Sequence, residues 1–248
     1  MTSISTGLAL VDEMLGGGLP RGNIVEMFGA TSSGKTTVAL NWVAAVQRAG
    51  LTPVWVDADR TLNLQWAAKA GVSVDELVVV RPDTGTQAAG IVDQLLRTFS
   101  VDLIVVDSAA ALVEAEESLE DSPLEASNGF LARMLRRSRG LVERSGAVVI
   151  FINPQYQRDC SDVAGSTPGG RVLTQYSTIR IAVRSTSRRL IAGGLAGHEL
   201  SLLSIKNKLA EPFVEARVDL DGAVLRVPAR MPVKRAGVGP AQAARNVG

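Results

Sequence analysis

Residues 29–36 match the pattern GxxxxGK[ST], the signature of a phosphate-binding loop. The loop follows an apolar run at 23–28 and precedes a helix-like run at 37–46, so it has the strand–loop–helix context that the motif requires. Backbone N–H groups of such a loop face phosphate oxygens, and the helix N-terminus adds partial positive charge. A nucleoside triphosphate site is therefore predicted. Its expected contacts are Gly29, Ala30, Thr31, Ser32, Ser33, Gly34, Lys35, Thr36 and Thr37.

Two side chains of this motif have distinct chemical roles. Lys35 is expected to reach the β- and γ-phosphates, and the Thr36 hydroxyl is expected to ligate Mg²⁺. A second Mg²⁺ ligand is predicted at Asp107, which ends the apolar run 101–107. An acid there lies at the carboxyl edge of a parallel sheet, beside the phosphate loop. The alternative for Asp107 is an acid that caps a strand before a turn.

The elements that position these residues follow from the hydrophobic pattern. Short apolar runs alternate with helical segments up to residue 152, which favours a parallel sheet covered by helices on both faces. The predicted strands are 23–28, 52–57, 77–80, 101–107 and 147–152. The predicted helices are 37–46, 62–70, 86–99 and 128–144, after a short helix within 5–22 that ends in a glycine turn.

The pattern changes after Asn153. Residues 154–171 are rich in Gly, Ser, Asp and Pro, and they are predicted to form a long loop. The segments 178–183, 200–205 and 215–220 alternate apolar and polar residues without a helix between them, so antiparallel strands are expected. The fold class is thus α/β, with a mostly parallel twisted sheet and antiparallel strands added near the C-terminus.

Composition sets the outer limits of the protein. The 248 residues are 46% hydrophobic and 21% charged, as expected for one large globular domain. No apolar run has the length of a membrane span, and the single cysteine, Cys160, cannot form an internal disulfide, so a cytoplasmic protein without a membrane partner is expected. Residues 226–248 carry five basic residues and no acid. We expect a core at 1–225 and a basic, disordered tail at 226–248.

Several short strings resemble the bacterial RecA recombinase family, in the same order along the chain. The resemblance runs from about Ser5 to Leu220. The strings are Ser5-Thr6-Gly7, Gly18-Leu19-Pro20-Arg21-Gly22, Ser32-Ser33-Gly34-Lys35-Thr36, Asp57-Ala58, Pro82-Asp83-Thr84-Gly85, Val105-Val106-Asp107-Ser108, Phe151-Ile152-Asn153, Gly169-Gly170 and Lys206-Asn207-Lys208. The resemblance implies a RecA-like P-loop ATPase core that uses ATP and Mg²⁺.

The resemblance assigns roles on the nucleotide side of the site. The family's catalytic glutamate, which polarises the attacking water, corresponds to Asp59, one methylene shorter. The shorter side chain places its carboxylate about 1.5 Å further back, and such a displacement can cost about a hundredfold in rate. Trp66 corresponds to the ring that stacks on adenine, with Asn63 near the adenine edge. Core packing is the alternative for Trp66.

The resemblance also implies a loop that contacts single-stranded DNA. Pro154 stands where the family has a nucleotide-sensing glutamine, and Gln155 follows as a possible substitute. The corresponding loop spans 155–170, and the alternative is a solvated loop without ligand. Its expected DNA contacts are Tyr156, Arg158, Gly169, Gly170 and Arg171, because aromatic and basic side chains suit single-stranded DNA.

Two further basic groups are implied. Lys206 and Lys208 match a pair that reaches the ATP of a neighbouring subunit in RecA filaments, with ordinary surface lysines on a strand edge as the alternative. Arg133 and Arg137 lie within about 40° of each other on a helix, and Arg133 matches a DNA-contacting arginine. The alternative for this helix face is solvation and pairing with the acidic stretch 114–125.

Three functions remain open at this point. The first is an ATPase stimulated by single-stranded DNA, acting in DNA repair and recombination, with a homo-oligomer as partner. The second is an ImuA-type accessory of translesion synthesis in the SOS response to DNA damage, which binds RecA or a polymerase complex. The N-terminal polymerisation arm and the C-terminal domain of RecA have no expected counterpart here, and this motivates the second. The third is a RecA-fold ATPase outside DNA metabolism.

Overall fold

A ten-stranded mixed sheet runs through the part of the chain that the computed structural model describes, residues 2–114, 123–155, 167, 170–190, 196–228 and 234–235. The strands of this sheet are β3 (Ile24–Gly29), β4 (Pro53–Asp57), β5 (Val78–Val80), β6 (Leu103–Asp107), β7 (Val148–Pro154), β8 (Ile179–Leu190), β9 (Ala196–Asn207), β10 (Val214–Asp221), β11 (Val224–Arg226) and β12 (Lys234–Arg235). Two short strands, β1 (Ser3–Ile4) and β2 (Leu19–Pro20), pair separately.

The helices within these ranges lie on both faces of the sheet. They are α1 (Ala9–Leu15), α2 (Lys35–Arg48), α3 (Leu64–Lys69), α4 (Gly85–Thr98), α5 (Ala109–Glu114), α6 (Pro123–Ser145) and α7 (Gly170–Tyr176). None of these helices has both the length and the apolar composition that crossing a bilayer demands.

The strand order is β11-β10-β9-β8-β3-β7-β6-β4-β5, with β12 also paired to β10. The six strands from β8 to β5 are parallel, whereas β9, β10, β11 and β12 join in antiparallel pairs. This arrangement confirms the predicted α/β fold class, including the antiparallel strands near the C-terminus. The phosphate loop leaves β3, a central strand between β7 and β8.

Two apolar layers hold the helices to the sheet. In one layer α1 and α2 pack on side chains such as Met27 and Ile150, and in the other α4, α5 and α6 pack on side chains such as Val106 and Phe151. Helix α2 is buried almost all round, including the fully buried Trp42. A helix that is buried on every side is held in place by packing rather than by propensity.

The short helix predicted within 5–22 is α1, which ends at the left-handed Gly16 as expected, and the paired strands β1 and β2 flank it. Three other local expectations need correction. Helix α5 begins at Ala109, two residues after Asp107, where no helix was expected. The long loop predicted at 154–171 ends earlier, because α7 begins at Gly170. Strands β8 and β9 extend well beyond 178–183 and 200–205, since they pair with each other as far as Leu190 and Ala196.

The C-terminal segment has one described contact with the core beyond β11. In β12, Lys234 and Arg235 pair with Glu215 and Val214 of β10. These two residues lie within the segment that was predicted to be disordered, and most of that segment lies outside the described residues. The division of the chain at residue 225 stays a prediction.

Candidate nucleotide-binding site

The phosphate loop is closely packed against the neighbouring strands. A Cβ at Gly29 would lie 2.2 Å from the carbonyl oxygen of Val183 in β8. Gly34 has φ +96°, and a Cβ there would lie 2.9 Å from the side chain of Leu200 in β9. Both positions therefore require glycine, one for space and the other also for backbone conformation. The predicted motif glycines are structural requirements of this turn.

The side chain of Lys35 folds back over the phosphate loop that precedes it in the sequence. Its Nζ donates to the carbonyl oxygens of Gly29, at 3.0 Å, and Ala30, at 2.8 Å. Burial lowers the pKa of Lys35, and the nearby Asp107 carboxylate opposes that shift. Ser33 Oγ is buried and has no hydrogen-bond partner within the described part of the chain. A lysine cation and an unpaired buried hydroxyl in one loop fit a bound phosphate.

Thr36 and Asp107 meet as predicted for a Mg²⁺ site. Thr36 Oγ1 donates to Asp107 Oδ2 at 2.9 Å. The pKa of Asp107 is raised to about 7, first by burial and then by the Asp59 carboxylate, while the Thr36 hydrogen bond and Lys35 oppose the shift. Mg²⁺ commonly takes one or two protein oxygens and completes its shell with water and phosphate oxygens. The hydroxyl and carboxylate fit this donor set.

A second acid, Asp57, organises the segment that carries Asp59. Asp57 is buried at the end of β4, and its Oδ1 accepts the N–H groups of Thr61 and Leu62 at 3.0 and 3.2 Å. Its Oδ2 accepts from Arg81 Nε at 3.0 Å. The structural role of this carboxylate was missed from the sequence. An acid ending a strand four residues before a hydroxyl residue is a weak signal, shared by many turns.

Backbone hydrogen bonds connect the segment that carries Asp59 to Asp107. The Asp107 carbonyl oxygen accepts the N–H groups of Ala58 and Asp59 at 2.7 and 3.4 Å. The Asp59 carboxylate accepts from Thr61 Oγ1 at 2.8 Å. The predicted water-positioning acid is therefore held at the same sheet edge as the predicted Mg²⁺ ligands. Its catalytic role stays a prediction.

Trp66 and Asn63 lie at the start of α3. Trp66 is 36% exposed, and its Nε1 donates to Thr37 Oγ1 at 3.1 Å. By contrast, Trp42 and Trp55 are fully buried. An exposed indole tied to a phosphate-loop helix does not fit the alternative of core packing. Asn63 caps α3, since its Oδ1 accepts from Trp66 N at 3.0 Å, so part of its side chain is engaged within the protein.

Gln155 adjoins the phosphate loop through its main chain. Its N–H donates to the Gly29 carbonyl oxygen at 2.9 Å, and Pro154 lies opposite Gly29 in the β3–β7 register. Gln155 is half-buried. Its side chain as a replacement for the sensor glutamine stays a prediction.

The predicted DNA contacts divide into three groups. Arg133 and Arg137 are exposed on α6, but Arg137 Nε pairs with Asp93 Oδ2 of α4 at 2.5 Å. This pairing acid is in α4, outside the stretch 114–125. Arg171 is exposed in the first turn of α7, which begins at Gly170. The other contacts, Tyr156, Arg158 and Gly169, lie outside the described residues.

Lys206 is half-buried and its side chain folds back onto this chain. Its Nζ donates to the Thr174 carbonyl oxygen of α7. Burial lowers the pKa of Lys206 to about 8, and the nearby Lys208 and Arg180 lower it further, while Glu26 opposes the shift. Strand β9 pairs with β10 only over His198–Ser204, and at Lys206 its described ladder partner is Arg180 of β8, so the alternative of a lysine on a strand edge stays open. Lys208 follows the end of β9 and is exposed.

The fold and the site together define a class of protein. A glycine-rich loop joins a central parallel strand to a buried helix, and an acid at the end of another inner strand contacts the loop's threonine. This combination is the P-loop nucleoside triphosphatase arrangement.

Comparison with known proteins narrows that class. The family model described as the RecA N-terminal domain matches residues 1–222. The chain is 41% identical over 227 residues to Protein RecA of Brevibacillus brevis, with 89% of this chain and 64% of that protein covered. It is 40% identical to Protein RecA of Halalkalibacterium halodurans, of which 65% is covered, and of Clostridium perfringens, of which 64% is covered. The chain belongs to the RecA family, and it spans just under two thirds of the length of these relatives.

Proposed function

We propose that this protein is an ATPase whose turnover is stimulated by single-stranded DNA and which acts in DNA repair and recombination. The observation that carries the proposal is the 2.9 Å contact between Thr36 and Asp107 beside an intact phosphate loop. Membership of the RecA family and similarity to proteins named RecA support the DNA part of the proposal. A cytoplasmic location follows from the same assignment.

Each residue of the site has one task in this proposal. Lys35 moves from the loop carbonyls to the β- and γ-phosphates, which offer it a stronger, charged acceptor. Thr36 and Asp107 would hold Mg²⁺, which would supply positive charge to the phosphates. Asp59 orients the attacking water, and Trp66 stacks on adenine.

The proposed DNA loop begins where β7 ends, next to the nucleotide site. The main chain of Gln155 contacts the phosphate loop, and the chain returns at Thr167 and enters α7 with the exposed Arg171. Arginine side chains on α6 supply further positive charge for a phosphate backbone. Lys208 is exposed and Lys206 can leave the Thr174 carbonyl oxygen for a stronger, charged acceptor, so that both complete the ATP site of a neighbouring subunit in a homo-oligomer.

The direct test measures ATP turnover with and without single-stranded DNA, across a range of protein concentration. We expect stimulation by DNA, and a rate per molecule that rises with concentration because the two lysines act on a neighbour. Lys35→Ala should reduce turnover about a hundredfold or more. Lys69→Ala, an exposed lysine on α3 without an assigned role, is the matched control and should not change it. Absence of turnover under both conditions would contradict the proposal.

The shorter acid at position 59 gives a second, finer test. Asp59→Glu extends the carboxylate by about 1.5 Å toward the proposed water. We expect a rise in kcat of about tenfold, because catalytic rates depend strongly on such distances. Asp83→Glu, another exposed acid that pairs with Arg60, controls for the added methylene. A fall in kcat for Asp59→Glu would show that Asp59 is not the water-positioning acid.

Two departures from the family pattern favour a second candidate, an ImuA-type accessory of translesion synthesis. Asp59 shortens the water-positioning acid, and Pro154 has no N–H at the sensor position. Such a protein would bind RecA or a polymerase complex and would turn over ATP slowly. A strand-exchange assay separates the two functions. Efficient exchange by the isolated protein would exclude the accessory function, whereas slow ATP turnover without exchange would favour it.

A further inference from the structure

Glu26 is a carboxylate in the middle of the sheet, on the strand that leads into the phosphate loop. The residue is fully buried in β3, three positions before Gly29. Its Oε1 accepts from Asn153 Nδ2 at 3.0 Å and from Thr167 Oγ1 at 3.2 Å. Its Oε2 accepts from Arg180 Nε at 2.5 Å. An ionised carboxylate is costly to bury, and these three donors supply the compensation.

The three donors come from three distant parts of the chain. Asn153 lies near the end of β7, directly before Pro154 and opposite Phe28 in the sheet register. Arg180 lies directly opposite Glu26 in β8, and its guanidinium carbon lies 4.7 Å from the centre of the Phe28 ring. Thr167 is buried and precedes α7 by three residues. Glu26 thus joins the strand end next to the nucleotide site to the segment that leads into α7.

The same buried group holds α7 at a second point. Lys206 lies opposite Arg180 in the β8–β9 register, and its Nζ donates to the Thr174 carbonyl oxygen within α7. Thr167 and Thr174 are therefore each bonded to the sheet, Thr167 through Glu26 and Thr174 through Lys206. Asn153 of β7 and Thr167 donate to the same oxygen, Glu26 Oε1, so a shift of β7 relative to β3 would act on the acceptor that holds Thr167.

We propose that Glu26 is a positioning residue that couples nucleotide binding to single-stranded DNA binding, through its hydrogen bond with Thr167. The inference rests on the proposed function, since it needs both ligands. In this proposal the side chains of Asn153, Glu26 and Thr167 link the two sites, so neither an N–H nor a side-chain amide is needed at Pro154. Coupling of this kind is reciprocal: each ligand must tighten the other by the same factor.

The test measures four affinities for each protein. A fluorescent ATP analogue with Mg²⁺ is titrated with and without an unlabelled oligo-dT, and a labelled oligo-dT is titrated with and without the analogue. We expect a wild-type coupling factor of about fivefold or more. Thr167→Val removes the hydroxyl but keeps the shape, and it should bring the factor to within about twofold of one. Its affinity for the analogue alone should stay within about twofold of wild type, because the phosphate loop is untouched.

Two further variants separate coupling from general loosening of the fold. Thr167→Ser keeps a hydroxyl and should retain the wild-type coupling factor. Thr178→Val removes a similar hydrogen bond, from Thr178 Oγ1 to Asn23 Oδ1 at 2.7 Å, at the opposite end of β3. It should also retain the coupling factor. Equal loss of coupling in Thr167→Val and Thr178→Val would overturn the proposal.

The remaining outcomes distinguish this inference from the proposed function. If Thr167→Val keeps the wild-type coupling factor, Glu26 does not act through Thr167 and the inference is wrong. If wild type binds both ligands without coupling, the inference is wrong while the proposed function stands. If wild type does not bind oligo-dT at all, the proposed function fails and the inference fails with it.

Discussion

Asp107 and Glu26 are buried carboxylates on inner strands of the same sheet, but their surroundings differ. Glu26 accepts hydrogen bonds from an amide, a hydroxyl and a guanidinium. Among the described residues, Asp107 accepts one side-chain hydrogen bond, from Thr36, and it lies near two further acids, Asp57 and Asp59. Its nearest cation, Lys35, points its ammonium at loop carbonyls.

The difference separates a carboxylate whose charge is compensated within the protein from one whose charge is not, as the proposed Mg²⁺ role of Asp107 requires. The charge of Glu26 is balanced within the chain by Arg180, so the fold does not need an added cation there. The charge of Asp107 is underbalanced, and its raised pKa of about 7 expresses this. A bound cation would supply the missing charge. Incomplete compensation of a buried acid is therefore a useful sign of a ligand site, in addition to any sequence motif.

The largest effect is expected from Asp107→Asn, which makes the ligand acid neutral. ATP turnover should fall about a hundredfold or more, because a Mg²⁺ ligand is lost. The nucleotide-free protein should become more stable at pH 8 by about 2–4 kcal/mol, because a buried carboxylate with a raised pKa opposes folding once it ionises. Urea unfolding without nucleotide measures this change. A less stable variant would contradict the contrast with Glu26.

The sign of this effect also fixes its pH range. The pKa of Asp107 is about 7 in the folded protein, above its ordinary value, so the native state holds a proton that the unfolded state releases. This group therefore lowers the stability of wild type as pH rises from about 4 to about 7. Asp107→Asn should lack that part of the decline. The difference in urea midpoint between the two proteins should thus be smaller at pH 5 than at pH 8.

The next effect comes from removing the balance around Glu26. Arg180→Met should destabilise the protein by about 3–5 kcal/mol, because it leaves a buried carboxylate without its cation. Arg81→Met is the matched control, since Arg81 also pairs with a buried acid, Asp57, but is 49% exposed in its side chain. That change should cost about 1 kcal/mol. Equal costs in urea unfolding would show that the two ion pairs contribute alike.

A smaller effect is expected at Trp66, which, like Asp107, belongs to the proposed nucleotide site. Trp66→Ala should weaken binding of an ATP analogue about tenfold, because stacking on a base contributes about 1–3 kcal/mol. Trp66→Phe should keep affinity within about threefold. Stability should change little in either variant, since the indole is 36% exposed. Unchanged affinity in Trp66→Ala would remove Trp66 from the nucleotide site.

The smallest effect is expected at Lys206, which lies opposite Arg180, the ion-pair partner of Glu26. The pKa of Lys206 is about 8 in the folded protein, below its ordinary value, so the unfolded state binds more protons between pH 8 and 10. Stability contributed by this group therefore rises with pH in that range. Between pH 8 and pH 10, the free energy of unfolding of Lys206→Met should rise less, or fall more, than that of wild type. Urea unfolding at the two pH values measures this difference. Identical pH dependence in the two proteins would contradict the lowered pKa.

Sequence reasoning worked best where one local pattern determines the structure. The continuous apolar runs before Gly29 and Asp107 predicted inner strands, and the carboxyl ends of parallel strands had to meet, so Thr36 and Asp107 were placed together correctly. Boundaries were less accurate. Helix α7 was missed because Gly170 follows a stretch rich in turn-forming residues, whose composition hides a short helix.

Contacts between distant segments could not be read from local patterns. Glu26 appeared as one charge inside an apolar run, and its partners Asn153, Thr167 and Arg180 lie more than a hundred residues away. Nothing in its neighbourhood along the chain indicates them. The cap formed by Asn63 was within reach of the sequence, since Asn before a helix is a common N-cap, but the expected adenine contact was preferred.

The central place of β3 has a consequence for how the protein is made. Val25 pairs with Ile150 on one side and Ile179 on the other, so both neighbours of this strand are synthesised long after it. At about 5–20 residues per second, a ribosome needs roughly 6–30 s to reach them. During that time the phosphate-loop sequence has been synthesised, but β7 and β8, the strands on either side of β3, have not. Binding of nucleotide to a nascent chain would therefore report that β8 has left the ribosome and joined the sheet.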